Sequence, residues 1–175
     1  MPANTLPAGI ELGLSWLRDT AWSTGLRESL WAYPMVDTAH VLGLIAFVGA
    51  AIVLDLRLVG LALPALRVSE VVERTRRPLY VGFAAMATTG LLLFFANPLK
   101  FATNPFFQAK VGLLAVAGLN AGLFHLTTYR HVAAWDSAVA PPGRARIAGS
   151  ISLVAWMAVI AVGRLIAFYE TGAGV

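Results

Sequence analysis

Residues 79–97 read LYVGFAAMATTGLLLFFAN, a run without a single charged side chain. A helix needs about 20 mostly apolar residues to cross the hydrocarbon core of a bilayer, and this stretch meets that length. Three further runs approach it. One extends from about Val36 to Leu61, entered through Pro34 and Asp37. Another begins at Asn104-Pro105, a side-chain cap followed by proline at the first helical position, and ends near Tyr129. The last covers about Ile147 to Tyr169, after the turn signal Ala140-Pro141-Pro142-Gly143. The expected fold is all-α and integral to a membrane: a four-helix transmembrane bundle over residues 34–175.

Composition agrees. Of 175 residues 58% are apolar and 13% charged, with a mean hydropathy of +0.74. Soluble domains carry roughly a quarter charged residues, so this chain lacks the polar surface to wrap a water-soluble core. The length leaves no room for a soluble catalytic module beside the bundle. Absence of cysteine excludes disulfides, thiolate metal sites and covalent heme attachment. The net charge of +4 and a pI near 10 do not point to nucleic acid, because the basic residues lie in short segments between apolar runs.

Residues 1–33 read differently. Leu12, Leu14, Trp16, Leu17, Trp22, Leu26, Leu30 and Trp31 alternate with Glu11, Arg18, Asp19, Arg27 and Glu28. Such a segment is too charged to span and is rich in the tryptophan that settles at membrane interfaces, so an amphipathic interfacial helical segment is expected. The start, MPANTLPAGIELGL, has no basic region and carries Glu11 where a cleaved signal would be apolar, so it is read as retained.

The segment joining the first and second runs holds Arg67, Arg74, Arg76 and Arg77, and that joining the third and fourth holds Arg130, Arg144 and Arg146. Arg18, Arg27, Lys100 and Lys110 stand on the other side. The excess assigns the two arginine-rich connections to the cytoplasm and both termini to the outside. Gly118/Gly122 and Ala46/Ala50 are small-residue pairs that let helices approach closely, and are read as packing inside the bundle.

Ionisable groups within spans are costly and are functional suspects by default. At about 1.5 Å per residue they sort into two layers. The outer layer holds His40, Lys110 and Arg164, from three different runs, with Asn97 at its edge. One imidazole and two cations at one level suit an anionic ligand, and heme b fits best: its iron takes neutral imidazole and its propionates take cations. Gly43, one turn after His40, would leave room for the porphyrin plane. The inner layer holds Asp55, Arg57 and His125, with Asp55 and His125 expected to contact each other and Arg57 to snorkel outward. His40 and His125 differ in depth on the order of 20 Å, which separates them as ligands of one iron. Plainer readings stand beside these: a solvated His40, snorkelling Lys110 and Arg164, and His131 in solvent.

The runs His40-Val-Leu-Gly43, Asp55-Leu-Arg57-Leu-Val-Gly60, Thr89-Gly90-Leu-Leu-Leu-Phe94, Asn104-Pro-Phe-Phe-Gln-Ala-Lys110 and Ser152-Leu-Val-Ala-Trp156, with Gly163-Arg164, resemble an uncharacterised family of four-helix bacterial inner-membrane proteins from Tyr33 to Tyr169. More distantly the layout is similar to HemJ-type protoporphyrinogen oxidases and CopD-type membrane domains. That resemblance implies b-type heme, with His40 as its ligand and Arg57 and Lys110 at matching positions. The chain has Phe47-Val48-Gly49 where HemJ-type proteins have a tryptophan-glycine pattern, and its third-span histidine falls about a turn late, so protoporphyrinogen oxidation does not carry over.

The expectation is a b-type heme protein of the bacterial inner membrane, in electron transfer or redox sensing, acting as a homo-oligomer or as a subunit of a membrane redox complex. His40 would bind iron; Lys110, Arg164, Gly43 and His125 complete the candidate cofactor residues. The rivals are a HemJ-like tetrapyrrole oxidase, a copper or small-anion transporter, and a cofactor-free structural subunit. Met1, Met35, Met86 and Met157 form no cluster for a soft metal.

Overall fold

A computed structural model describes residues 6–169. The described chain is helical throughout, with no strand among the described residues: α1 (Ala8–Arg18), α2 (Ala21–Glu28), α3 (Ala32–Val59), α4 (Val68–Ala96), α5 (Pro98–Ala102), α6 (Pro105–Leu123) and α7 (Gly143–Ile166). α6 runs on through a π-helical turn, Phe124–Thr128, and a 3-10 segment, Tyr129–Ala134. α3, α4, α6 with its extension, and α7 are each long and apolar enough to cross a membrane. The termini assigned to the outside, Met1 and Val175, lie beyond the described residues.

Local chemistry sets the ends. α3 stops at Gly60, whose φ of 87° needs the left-handed region that glycine enters without strain. α6 starts where Asn104 Oδ1 accepts from the Phe106 and Phe107 amides at 2.9 and 3.2 Å, with Pro105 just inside. The second span differs from expectation. α4 begins at Val68 rather than Leu79, so Arg74, Arg76 and Arg77 sit on the helix itself. Arg74 and Arg76 pair with Glu70 at 2.6 Å and Glu73 at 2.9 Å, one turn back on the same face.

α6 packs on α7, α7 on α3, and α3 on α4. The core between them is built from small residues: Val48, Ala51, Ala117, Ala155 and Val159 surround Trp156, against whose ring Phe47 stands edge-on with centroids 4.7 Å apart. Larger side chains such as Leu42, Ile45, Phe83, Leu119 and Val154 face outward. This is the arrangement lipid favours, because hydrocarbon solvates leucine well and helices gain from close approach.

Two glycines make the closest crossings. A Cβ on Gly82 would lie 2.7 Å from the Phe47 amide nitrogen and 2.9 Å from the Gly43 carbonyl oxygen, so α3 and α4 touch backbone to backbone. Gly149 of α7 lets the Asp55 carbonyl approach to 3.0 Å of the same construction. Gly118 and Gly122, by contrast, have nothing within 4 Å and face away from the bundle. The packing expected at Gly118/Gly122 is not made within the chain.

α1 and α2 are the amphipathic helices expected before the first span. They dock on one end of the bundle, where the Ser23 hydroxyl donates to the Phe95 carbonyl at 2.6 Å and Arg27 to that of Ala96 at 3.1 Å, satisfying the last carbonyls of α4. Trp16, Trp22 and Trp31 remain exposed. This end, with α1, α2 and α5, is the capped end. The opposite one, bearing the two inter-span connections, is the arginine end.

Candidate functional site

His40 lies two turns into α3 from the capped end and faces α4. Its Nδ1 is 2.9 Å from the Thr89 hydroxyl oxygen, which itself donates to the Ala85 carbonyl at 2.5 Å. With the Thr89 proton given to Ala85, Thr89 accepts from Nδ1–H, and a backbone hydrogen bond also joins His40 to Met86. That tautomer would leave the Nε2 lone pair for a metal, the state in which histidine acts as a ligand. Gly90 makes room for the ring: a Cβ there would lie 3.2 Å from His40 Cε1.

Lys110 of α6 reaches into the same layer. Its Nζ lies 3.8 Å from where a Cβ on Gly163 would stand, so the lysine rests against α7. The ammonium acts electrostatically on His40, and the Asp37 carboxylate acts on both. One turn beyond Thr89, Phe94 stacks on Phe107 of α6 with centroids 5.6 Å apart, and Phe101 of α5 meets the same ring at 5.4 Å. The half-buried His40–Lys110 layer therefore lies between the Phe47–Trp156 core and an aromatic layer at the capped end.

The structure brings together only part of the expected set. His40 and Lys110 lie within electrostatic reach of each other. Arg164 does not join them: it is exposed, with its guanidinium 5.0 Å over the ring of Phe168 on its own C-terminal side. The layer is also less cationic than its sequence reading, because Asp37 lies within electrostatic reach. Gly43 offers no open slot, since a Cβ there would meet the Ala85 side chain at 3.0 Å and the Met86 amide at 3.2 Å. α4 fills the space assigned to a porphyrin at that point.

The other layer is rearranged more thoroughly. His125 sits in the π-helical turn, exposed, with Nδ1 3.1 Å from the Ala121 carbonyl. Asp55 is buried and faces α7, where the Ser152 hydroxyl bonds its carboxyl. The expected Asp55–His125 contact is absent because the two side chains leave their helices toward different neighbours. Nor does Arg57 snorkel. It is 0% exposed, and its guanidinium donates to the Leu66 and Ala138 carbonyls, each at 2.9 Å, tying the α3–α4 connection to the one before α7. One oxygen of Asp55 and one nitrogen of Arg57 have no partner.

Asp136 is a residue sequence reasoning passed over. Its carboxylate accepts from the Ser69 amide at 2.7 Å and the Ser69 hydroxyl at 2.6 Å, while its carbonyl accepts from the Val68 amide at 3.1 Å. It caps α4 from a distant part of the chain. Partial burial pushes its carboxyl up, but the two Ser69 bonds and the charges of Arg67 and Arg57 outweigh that and hold it below the usual range.

Among the described residues no group of three or more histidine, aspartate and glutamate side chains is placed to hold a metal ion. A site at His40 would thus rest on one imidazole, as heme iron can and a bare ion seldom does. Comparison with protein-family models, characterised proteins and solved structures returns no match.

Proposed function

We propose that the chain is a b-type heme protein of a bacterial inner membrane, working in electron transfer or redox sensing, with His40 as the single protein ligand to iron. The observation that carries the reading is the hydrogen bond between Nδ1 and Thr89, which orients the ring and in the Nδ1–H tautomer would leave the Nε2 lone pair for iron. Lys110 is the cation for one propionate, a charge-assisted contact made stronger where lipid and protein exclude water. The heme would supply one-electron chemistry. The protein's own part is to hold the imidazole in one tautomer and to place an ammonium beside it. Arg164, Gly43 and His125 have no part in this reading, for the geometric reasons above. The resemblance of the sequence motifs to HemJ-type proteins is consistent with it.

The orientation proposed is arginine end to the cytoplasm, from the charge bias of the connections. Cysteines introduced at Arg144 and Lys100 should be labelled by an impermeant reagent only at position 100 in intact cells.

The decisive measurement is the visible spectrum and pyridine hemochrome of protein extracted gently from heme-replete cells. Wild type and His125→Ala should show a Soret band, and His40→Ala should lose it. Thr89→Val, which removes the Nδ1 partner, should keep the band but shift the midpoint potential. Colourless wild-type protein would end the reading, and a red His40→Ala protein would remove the ligand.

A further inference from the structure

A groove runs between α6 and α7 from the arginine end toward the middle of the bundle. It contains two cavities of ≈ 330 and ≈ 340 Å³. The first is lined by Thr127, Thr128, Arg144 and Ile147 among others, the second by Leu113, Val116, Val154 and Ala158 among others. Among the lining residues, 144, 147, 151, 154 and 158 of α7 and 113, 116, 120 and 123 of α6, continued by 127 in the π-helical turn, recur at three- and four-residue steps, so the two cavities lie in line between the same pair of helices. Asn120 ties its walls together by donating to the Ala148 carbonyl at 2.9 Å.

The cleft is largely apolar and carries its polar groups, Arg144, Thr127, Thr128 and Asn120, toward one end. At about 1.5 Å per residue, the stretch from Arg144 to Ala158 spans roughly 21 Å. That is about the depth of one leaflet with its headgroup layer. Arg144 stands at the polar end, exposed, and no carboxylate pairs with it among the described residues, whereas Arg74 and Arg76 are matched by glutamates on their own helix. No side chain caps the first turn of α7, so its amides add to the positive end.

We propose that this cleft binds one anionic phospholipid from the leaflet that the arginine end faces. The phosphate sits at Arg144 with the Thr128 hydroxyl beside it, the Thr127 hydroxyl being committed to the Leu123 carbonyl at 2.6 Å, and one acyl chain runs past Ile147 to Ala158. Basic pockets between transmembrane helices recognise acidic headgroups by this chemistry. Charge selects the lipid class, and the length of the apolar part selects a lipid over a small anion. The inference is independent of heme at His40, which lies at the other end of the bundle.

Mass-resolved titration of the full chain in neutral detergent tests it, with dioleoyl phosphatidylglycerol against dioleoyl phosphatidylcholine. Wild type should take up one phosphatidylglycerol with an affinity about five- to ten-fold above that for phosphatidylcholine. Arg144→Gln should abolish the preference while Arg76→Gln keeps it. Ala158→Phe, which fills the apolar end, should weaken both lipids and leave the preference intact. Equal affinities in wild type, equal losses in the two arginine variants, or unchanged binding in Ala158→Phe would each overturn the site. So would effective competition by glycerol phosphate, which would make this a site for soluble anions.

Discussion

Arg57 and His40 lie on one helix, roughly 25 Å apart along its axis at about 1.5 Å per residue, and both are polar groups that a membrane span tolerates poorly. Their surroundings differ. Arg57 is enclosed, and two carbonyls from separate connections converge on it. Asp136 closes the start of α4 alongside, so both residues hold the connections of the arginine end together, while Arg144 at that end stays exposed. At the capped end His40 is held by Thr89 and by a backbone hydrogen bond with Met86, and Lys110 has a carboxylate nearby but no ion pair among the described residues. A group committed to the carbonyls of two connections is structural. One held in position that can still offer a lone pair is where binding chemistry belongs.

Breaking the arginine end should give the largest effect. Arg57→Ala leaves two carbonyls without donors and a void where a fully buried side chain stood. Losing two hydrogen bonds to a charged group costs about 3 kcal/mol or more, before the void is counted. Thermal unfolding in detergent should show a large fall in Tm or loss of folded protein. His40→Ala, by contrast, should change stability little while removing heme. If His40→Ala proved as destabilising as Arg57→Ala, the contrast between the two ends would fail.

The next effect compares two glycines. Gly82→Ala drives a methyl into the α3 backbone, and Gly82 sits where α4 meets the helix that carries His40. Overpacking of that kind costs about 1–3 kcal/mol, and the shift should also disturb the His40–Thr89 hydrogen bond. Gly118→Ala meets nothing and should be neutral, or stabilising by up to about 1 kcal/mol through helix propensity. Unfolding curves of the two variants measured side by side check this, and a loss at Gly118 equal to that at Gly82 would show that a second copy covers α6.

The four spans were legible because their signal is additive: length and apolarity accumulate over twenty residues, and no tertiary contact has to be known. Depth was legible too, and it brought His40 and Lys110 together. Direction around each helix was not. Arg164 has the right depth but turns toward Phe168, and Asp55 and His125 share a depth but not a direction, because depth counts residues while contact needs the facing helix. The charge-free criterion also misplaced the start of α4, whose arginines extend the helix with help from Glu70 and Glu73 instead of ending it. Thr89 gave no signal as the partner of His40, because sequence does not align α4 against α3. With α4 ending at Ala96, Thr89 lies about as far from the capped end as His40. Asp136 left no local signal, since its partner Ser69 is distant in sequence and only the folded connections bring them together.

The smallest effect isolates Asp136. Its carboxylate is depressed in the folded protein, so the stability it contributes is fully present above the unfolded aspartate pKa, about 3.9, and is lost as pH falls through the lower folded value. Asp136→Asn retains an oxygen for the Ser69 amide but gives up the charge that faces the α4 N-terminus, Arg67 and Arg57. The variant should be less stable than wild type by about 1 kcal/mol at pH 7, a modest figure because the side chain is only partly buried and solvent screens it. As pH is lowered below about 4, wild type alone loses this contribution, so the two Tm values should converge. Unfolding followed from pH 7 to pH 3 in one detergent reads the gap directly. A gap that shows no narrowing as pH falls below about 4 would mean Asp136 acts through shape and not charge, whereas progressive narrowing would assign the acid sensitivity of the arginine end to one carboxylate that caps a helix from another part of the chain.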